Sequence, residues 1–226
     1  AAHAHGATID GRKSGSLGHV ACFSFFPTKM ITTAEGGMFV TDDSTLARKA
    51  DSYRRRGLDL DSPVELFSSI GTNNRMTEVA ALLGRSQLRH LDTFIQHRRR
   101  IAAIYTRALT TSTFANVIHL EPVPDNIKPS YWRFLLNLDP SVNRETLRDL
   151  LQQDGITIDW AYHPPAHLQP VFCDLYGHRP GMLPVSEELL KHNICLPVHV
   201  GISENDAAWI ASRVIERLST LLPAHA

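Results

Sequence analysis

Neither sign of charge is in excess in this 226-residue chain, where 23 Lys and Arg stand against 23 Asp and Glu. Without a net field there is no global attraction to nucleic acid or to an anionic membrane, so a polyanion partner has no support. Cysteine is scarce: Cys22, Cys173 and Cys195 are an odd number without CxxC spacing, which argues against a disulfide framework or a cysteine zinc site and fits a reducing, cytoplasmic setting. No apolar run approaches the roughly 20 residues that a spanning helix needs, and the opening AAHAHGATIDGRK has neither the basic nor the apolar region of a leader. The 12 histidines include no HExxH, and Pro164 and Pro165 between His163 and His167 keep that pair off one helical face, so no bound metal is expected. An initiating methionine is missing too, and the Ala/His/Gly start has no cap or strand ahead of it; the chain reads as a fragment. Repeats and low-complexity tracts are absent. What remains is 43% hydrophobic, enough for the core of one large or two modest domains.

Residues 19–25 (HVACFSF) and 37–41 (GMFVT) are short apolar runs bounded by Gly, Pro and Asp, which predicts two buried strands of one sheet. Asp42 or Asp43 then caps a helix with Leu46, Ala47, Ala50 and Tyr53 on one face, ended by Gly57 in a left-handed conformation. Residues 58–75 are polar, contain Pro63 and Gly71, and read as a long loop of the kind that carries function. From Thr77 a helical pattern runs through Leu88, Leu91, Phe94, Ile95, Ile101, Tyr105 and Leu109. One helix of that length would extend on the order of 50 Å, bridging two domains or packing on a partner subunit. The first domain is accordingly drawn as residues 1–111 and the second, a smaller α+β domain, as 112–226.

In the second, SYWRFLLNLD puts Trp132, Phe134, Leu136 and Leu138 on one strand face. Asn143 caps a helix that turns Leu147, Leu150 and Leu151 inward and closes at Gly155, and ITIDWAY is a further strand candidate. Ser203 and Asp206 form a capping box ahead of an Ile210, Val214, Leu218, Leu221 stripe. Arg54–Arg56 and Arg98–Arg100 read as solvated helix faces, with a grip on a nucleotide diphosphate as the alternative. Trp132, Trp160 and Trp209 read as core or interface anchors, and Glu187 as a first-turn helix residue.

The densest chemistry is CFSFFPTKMITTAEGG. Lys29 follows a buried strand, and an amine kept out of water can serve as a nucleophile and form a Schiff base. Ser24 and Thr28 offer hydroxyls, and Gly36 and Gly37 allow close approach to a bulky, phosphate-bearing group. On pattern alone the commoner reading is a solvated lysine at a sheet edge.

The run AHAHGATIDGRKSGSLGHVACFSFFPTKMITTAEGGMFVTDD resembles the cofactor-lysine region of the DegT/DnrJ/EryC1/StrS family, whose members are pyridoxal-phosphate (PLP) enzymes of fold type I that mostly make amino sugars. The likeness continues, in family order, through GTNNRMTEVAALLGRSQLRHLDTFIQHRRRIAAIY, YHPPAHLQPVF and LPVSEELLKHNICLPVH. It implies an α/β fold: the carboxy-terminal part of a fold type I large domain followed by the small α+β domain. It further implies that Lys29 forms the Schiff base with PLP, that Ser24 hydrogen-bonds the cofactor phosphate, and that His3 contacts the ring near its phenolic oxygen. Asn73 matches an asparagine that reaches the phosphate of the neighbouring subunit's cofactor, which implies a homodimer with shared sites. His167 lies in a block that approaches the substrate pocket, where a sugar or phosphate contact and a structural loop histidine are the alternatives. The family's pyridinium-pairing aspartate would stand three positions before His3, ahead of residue 1, so the isolated chain is expected to be inactive. Met30 departs from the family's usual Asn. The related sugar 3-dehydratases carry histidine in place of the lysine, so the resemblance favours amino transfer, from an amino acid such as glutamate to a nucleotide-linked keto sugar. The alternatives are PLP-dependent dehydration, or a regulatory or truncated family member without catalysis.

Overall fold

The computed structural model describes residues 1–222. In chain order the elements are β1 (Thr8–Ile9), β2 (Arg12–Lys13), β3 (Ala21–Ser24), β4 (Gly37–Val40), α1 (Ser44–Arg54), α2 (Glu78–Leu88) and α3 (Leu91–Thr110). There follow β5 (Ile118–His119), β6 (Ile127–Lys128), β7 (Phe134–Leu138), α4 (Arg144–Gln153), α5 (Pro170–Tyr176), α6 (Pro184–His192), β8 (Asn193–Leu196) and α7 (Glu204–Leu221). They sort into two compact units, Ala1–Gln96 with Val123–Trp132, and His97–Pro122 with Arg133 onward. Among the described residues no helix is long and apolar enough to cross a membrane.

In the first unit, Asp10 and Gly11 take φ of 50° and 76°, the two left-handed positions of a tight hairpin turn that joins β1 to β2. β1 also pairs antiparallel with β6, Thr8 opposite Lys128 and Ile9 opposite Ile127, which returns residues 123–132 to this unit. The two apolar runs pair antiparallel as β3 and β4, Ala21 opposite Val40 through to Ser24 opposite Gly37, but the described residues bury neither, and Met38 and Phe39 are exposed. Asp43, not Asp42, caps α1, its Oδ1 accepting from the amides of Thr45 at 2.7 Å and Leu46 at 3.1 Å. The apolar face expected on α1 is not buried by the described residues, and Tyr53 is 51% exposed.

The long helix expected from Thr77 is two helices. Thr77 caps α2, but at His90 the amide bonds to Gln87, three residues back. That tighter turn ends α2 and α3 starts afresh with Asp92 in its first turn. Apolar residues on both sides of the break keep a three- or four-residue step, so the periodicity passes over it.

The second unit is built on the antiparallel order β5-β7-β8, with Phe134 opposite Leu196 and Leu136 opposite Ile194. Phe134, Leu136 and Leu138 are buried, as alternation requires. They pack in a core with Ile101, Tyr105 and Leu109 of α3, Leu147 and Leu151 of α4, and Ile210, Val214 and Leu218 of α7; Leu150 and Leu221 are only partly covered. The Ser203–Asp206 capping box forms, with Ser203 Oγ accepting from the Asp206 amide at 3.0 Å. ITIDWAY is not a strand. Ile156 and Ile158 are buried, but ladder pairing is limited to one bridge between Asp159 and Cys195, and Trp160 lies against the guanidinium of Arg144 at 4.4 Å. Nor is the Arg98–Arg100 run wholly solvated: Arg98 is 7% exposed, and burial pushes its pKa down to about 10.

Asp154, just past α4, receives two guanidinium groups from α7, those of Arg213 at 3.0 Å and Arg217 at 2.6 Å. The Arg217 and then the Arg213 hydrogen bonds hold its carboxyl well below the usual carboxylate range. A carboxyl depressed in the folded state contributes its full stability above the ordinary value of about 4 and loses that contribution as pH falls toward the depressed one. Asp154→Asn is therefore expected to lower the melting temperature at neutral pH. The deficit, followed by calorimetry, should hold steady down to about pH 5 and shrink below about pH 4.

Candidate active site

Strand β3 delivers Ser24 to the start of a loop that folds back on the strand end. The Phe25 carbonyl accepts from the Thr33 amide at 3.0 Å and from the Thr32 hydroxyl at 3.0 Å, and the Phe25 amide donates to Gly36 at 2.9 Å. Gly37 is required for this closeness, because a Cβ there would stand 2.8 Å from the Phe23 carbonyl oxygen. The pair Gly36 and Gly37 thus serves the approach of loop to strand. Met30 and Ile31, each 4% exposed, anchor the loop below. The departure at Met30 has a structural role here, since its burial fixes the residue next to the lysine. Lys29 rides above, its amide bonded to the Phe26 carbonyl at 2.9 Å and its side chain half-buried.

The amine end of Lys29 lies over an indole. Nζ is 4.5 Å from the ring centroid of Trp132, within cation–π range. Trp132 Nε1 donates to the Thr28 carbonyl at 2.7 Å, and its ring stacks on that of His3 at 3.6 Å and 17°. The first unit therefore gathers His3, the Lys29 turn and Trp132 in one place. Ser24 is held near by the chain itself, its Oγ accepting a long 3.4 Å bond from the Phe26 amide, a weak engagement that leaves the hydroxyl able to donate elsewhere.

Below lies His5, 4% exposed, with Phe23 at 5.1 Å and Phe25 at 5.9 Å between ring centroids. Burial pushes its pKa down; the neighbouring Ser24 backbone acts the other way, and the charge of Lys29 adds to the lowering. Neither ring nitrogen meets a partner at hydrogen-bond geometry. A buried imidazole with unspent nitrogens, a hydroxyl with a free proton and an amine against an aromatic face make a donor set that fits a phosphorylated aldehyde such as PLP. The sequence offers His5 only as a possible partner of His3 in a metal pair, and gives it no cofactor role; Phe23 and Phe25 beside it come from a segment that no pattern local to His5 reveals.

Asn73 belongs to a different part of the same unit. The stretch read as a loop is an arm braced across itself. Leu58 bridges Phe67 and Arg55 bridges Asn73, and the Arg56 amide bonds to Thr72 at 2.9 Å. Asn73 is exposed at its base, Oδ1 accepting from Arg75 Nε at 2.9 Å. Arg55, Arg56 and Arg75 line a cleft of about 410 Å³ together with Asp59 and Glu65.

His167 is in the second unit. Its Nε2 is 3.0 Å from Glu187 Oε1, with side chains 8% and 14% exposed. Glu187 is in the first turn of α6, as read from the sequence. Its carboxylate also accepts from the amides of Gly181 and Leu183, and those amides, with His167 adding less, hold its pKa low. His167 thus ties α6 to the short 3-10 turn Ala166–Leu168.

Trp132 was expected on the face of a strand. Two features move it. Tyr131 takes φ of 52°, which ends any extension of β7 toward it. The β1–β6 pairing returns the segment before Trp132 to this unit, where its indole stacks on His3. The Asp-Gly turn that begins this arrangement is a readable hairpin signal; the partner strand 118 residues away is not.

The sequence model of the DegT/DnrJ/EryC1/StrS aminotransferase family matches residues 1–216. The chain is 34% identical to a GDP-perosamine synthase of Caulobacter vibrioides, over 98% of its own length and 57% of the relative's. It is 33% identical to a "pleiotropic regulatory protein" of Geobacillus stearothermophilus, over 96% and 56%. Among solved structures, Spr1654 of Streptococcus pneumoniae in a PMP form superposes with a TM-score of 0.89 at 25% identity, over 98% of this chain and 57% of that one. The chain thus spans a little over half the length of the relatives it matches.

Proposed function

The chain belongs to the DegT/DnrJ/EryC1/StrS aminotransferase family, and from that premise we propose that it carries the cofactor lysine of a PLP-dependent aminotransferase. The reaction moves an amino group from an amino acid, glutamate in our reading, to a nucleotide-linked keto sugar, in a cytoplasmic homodimer with shared sites. The observation that supports this most is Lys29 Nζ at 4.5 Å over Trp132, with His3 stacked on the same indole.

Bound PLP supplies an aldehyde that condenses with an amine and a ring that accepts the electrons released at the adjoining carbon. Residues of this chain would share the remaining work. Lys29 would hold the cofactor, and its amine, once freed, would carry the proton to and from the donor α-carbon. Ser24 would donate its hydroxyl proton to the phosphate, and His3 would contact the cofactor ring. Asn73, at the base of the arm, serves the phosphate of the cofactor bound to the neighbouring subunit. His167 acts toward the substrate through the loop it fastens to Glu187.

Ser24→Ala removes one hydrogen bond to a doubly charged group, each such bond contributing roughly 1.5–3 kcal/mol. It is expected to weaken PLP retention about 10- to 100-fold in equilibrium dialysis while leaving the melting temperature of the cofactor-free protein unchanged. The reading as a whole is tested by adding PLP to the purified protein extended to the full length of its relatives. A visible imine band that borohydride abolishes, with the reduced adduct mapped to Lys29 by peptide mass, is the expected result. No band, or an adduct on another lysine, sinks it and favours the regulatory role named for the Geobacillus relative.

A further inference from the structure

One side chain, that of Trp132, makes three contacts around the reactive amine. Trp132 donates to the carbonyl of Thr28, the residue before the lysine, at 2.7 Å. Its π face carries Lys29 Nζ at 4.5 Å, and it stacks on His3 at 3.6 Å. Those three contacts join segments 3, 28–29 and 132, which lie far apart in sequence. The residue before it, Tyr131, takes φ of 52°, an unfavoured conformation for a bulky residue that is retained only where surroundings enforce it. An indole in the core would need no such arrangement.

We propose that Trp132 is a positioning residue for the cofactor lysine: its N–H sets the Thr28–Lys29 backbone and its ring face holds the amine beside His3, where the aldehyde arrives. The role rests on the reading of Lys29 as the cofactor lysine. A lysine side chain has four freely rotating bonds, and fixing its tip before the aldehyde binds removes part of the entropy otherwise lost on condensation. The two functions of the indole are separable. Trp132→Phe keeps a π face and lacks the N–H; Trp132→Leu keeps neither.

The contact is tested without cofactor by carbon–proton NMR of the protein labelled in lysine, the Lys29 ε-methylene signal being assigned by its loss in Lys29→Arg. Ring current from an aromatic face shifts that signal upfield of the other lysines. The shift is expected in the wild type, retained in Trp132→Phe and abolished in Trp132→Leu. An unshifted wild-type signal, or a shift that survives in Trp132→Leu, overturns the proposal. The role is tested by the rate at which PLP becomes borohydride-trapped on Lys29. Loss of a cation–π contact is expected to slow trapping in Trp132→Leu by about 3- to 30-fold, with Trp132→Phe between it and the wild type. Equal rates in all three proteins overturn it, as does a parallel fall in both variants that tracks their melting temperatures. A shifted NMR signal in a wild type that never traps PLP at Lys29 refutes the cofactor reading and, with it, the positioning role, while showing that the indole contact is real.

Discussion

In a protein of the relatives' full length, and on the proposed reading of Lys29, replacing that residue with alanine is expected to abolish amino transfer, with a fall of at least about 10³-fold, because one amine would supply two functions. General acid–base catalysis alone accounts for about 10²- to 10⁴-fold, and the loss of the covalent hold on the cofactor adds to it. The fold should tolerate the change. Lys29 is half-buried at the top of a loop anchored by Met30 and Ile31, each 4% exposed, and the backbone bonds of that loop pass through Phe25, Thr33 and Gly36. A substitution that empties no core site commonly costs within about 0.5 kcal/mol, so the melting temperature should be unchanged. The diagnostic measurement is a single turnover with glutamate and no sugar, followed at the cofactor absorbance. Alanine at this position should give no proton transfer from the donor α-carbon, and a small exogenous amine should restore a fraction of it. Full activity in Lys29→Ala would mean that the catalytic amine is elsewhere.

Gly57→Ala should have the largest effect of any single methyl group in the first unit. Gly57 takes φ of 81°, and a Cβ there would lie 1.7 Å from the carbonyl oxygen of Ser69. The obstacle is backbone, so no rotamer change relieves it. Ser69 cannot retreat easily, because its neighbour Ser68 donates to the Gly57 carbonyl at 3.0 Å, while Gly71 packs so near that its own Cβ would meet the Gly57 nitrogen at 2.3 Å. The left-handed conformation alone costs about 1 kcal/mol for alanine, and displacement of the paired strand raises the total to roughly 2–4 kcal/mol. We expect the arm from Gly57 to Asn74 to open as a unit. Hydrogen exchange should speed up at the amides of Asp59 and Ser68, which bond within the arm, and of Arg56 and Thr72, which bond between the arm and the residues before it, while the β5-β7-β8 sheet keeps its protection. Since Asn73 sits at the base of this arm, PLP retention should fall as well. Unaltered exchange in the arm would show that the backbone approach is looser than these distances state.

The local features of the chain were legible because each depends on residues a few positions apart. Asp43, Thr77, Asn143 and Ser203 cap helices through side-chain bonds that span two or three residues, a range at which the sequence is itself the geometry. The alternation of β7 is visible for the same reason, as is the Lys29 turn with its flanking hydroxyls and glycines. The resemblance to a known family added roles for His3, Ser24, Asn73 and His167 that spacing could not supply. Where the reading departs from the structure, the deciding partner is distant or the deciding variable is a dihedral. The break at Arg89–His90 leaves the apolar period intact, so pattern does not register it. ITIDWAY has the composition of a strand, yet it makes a single bridge with Cys195 because Trp160 turns aside to Arg144.

The same division holds at the site. Sequence alone determined that a lysine would stand just past the end of a strand, between a proline turn and a pair of glycines, since covalent order and side-chain size suffice for that; the burial expected of that strand is not found. Which side chain meets its amine was decided only in three dimensions. The pairing of β1 with β6 joins segments more than a hundred residues apart, Trp132 stacks on His3, and Phe23 and Phe25 flank the buried His5. Backbone hydrogen bonds between remote segments carry no mark in either segment by itself; they arise when the chain closes on itself and buries what neither strand could bury alone.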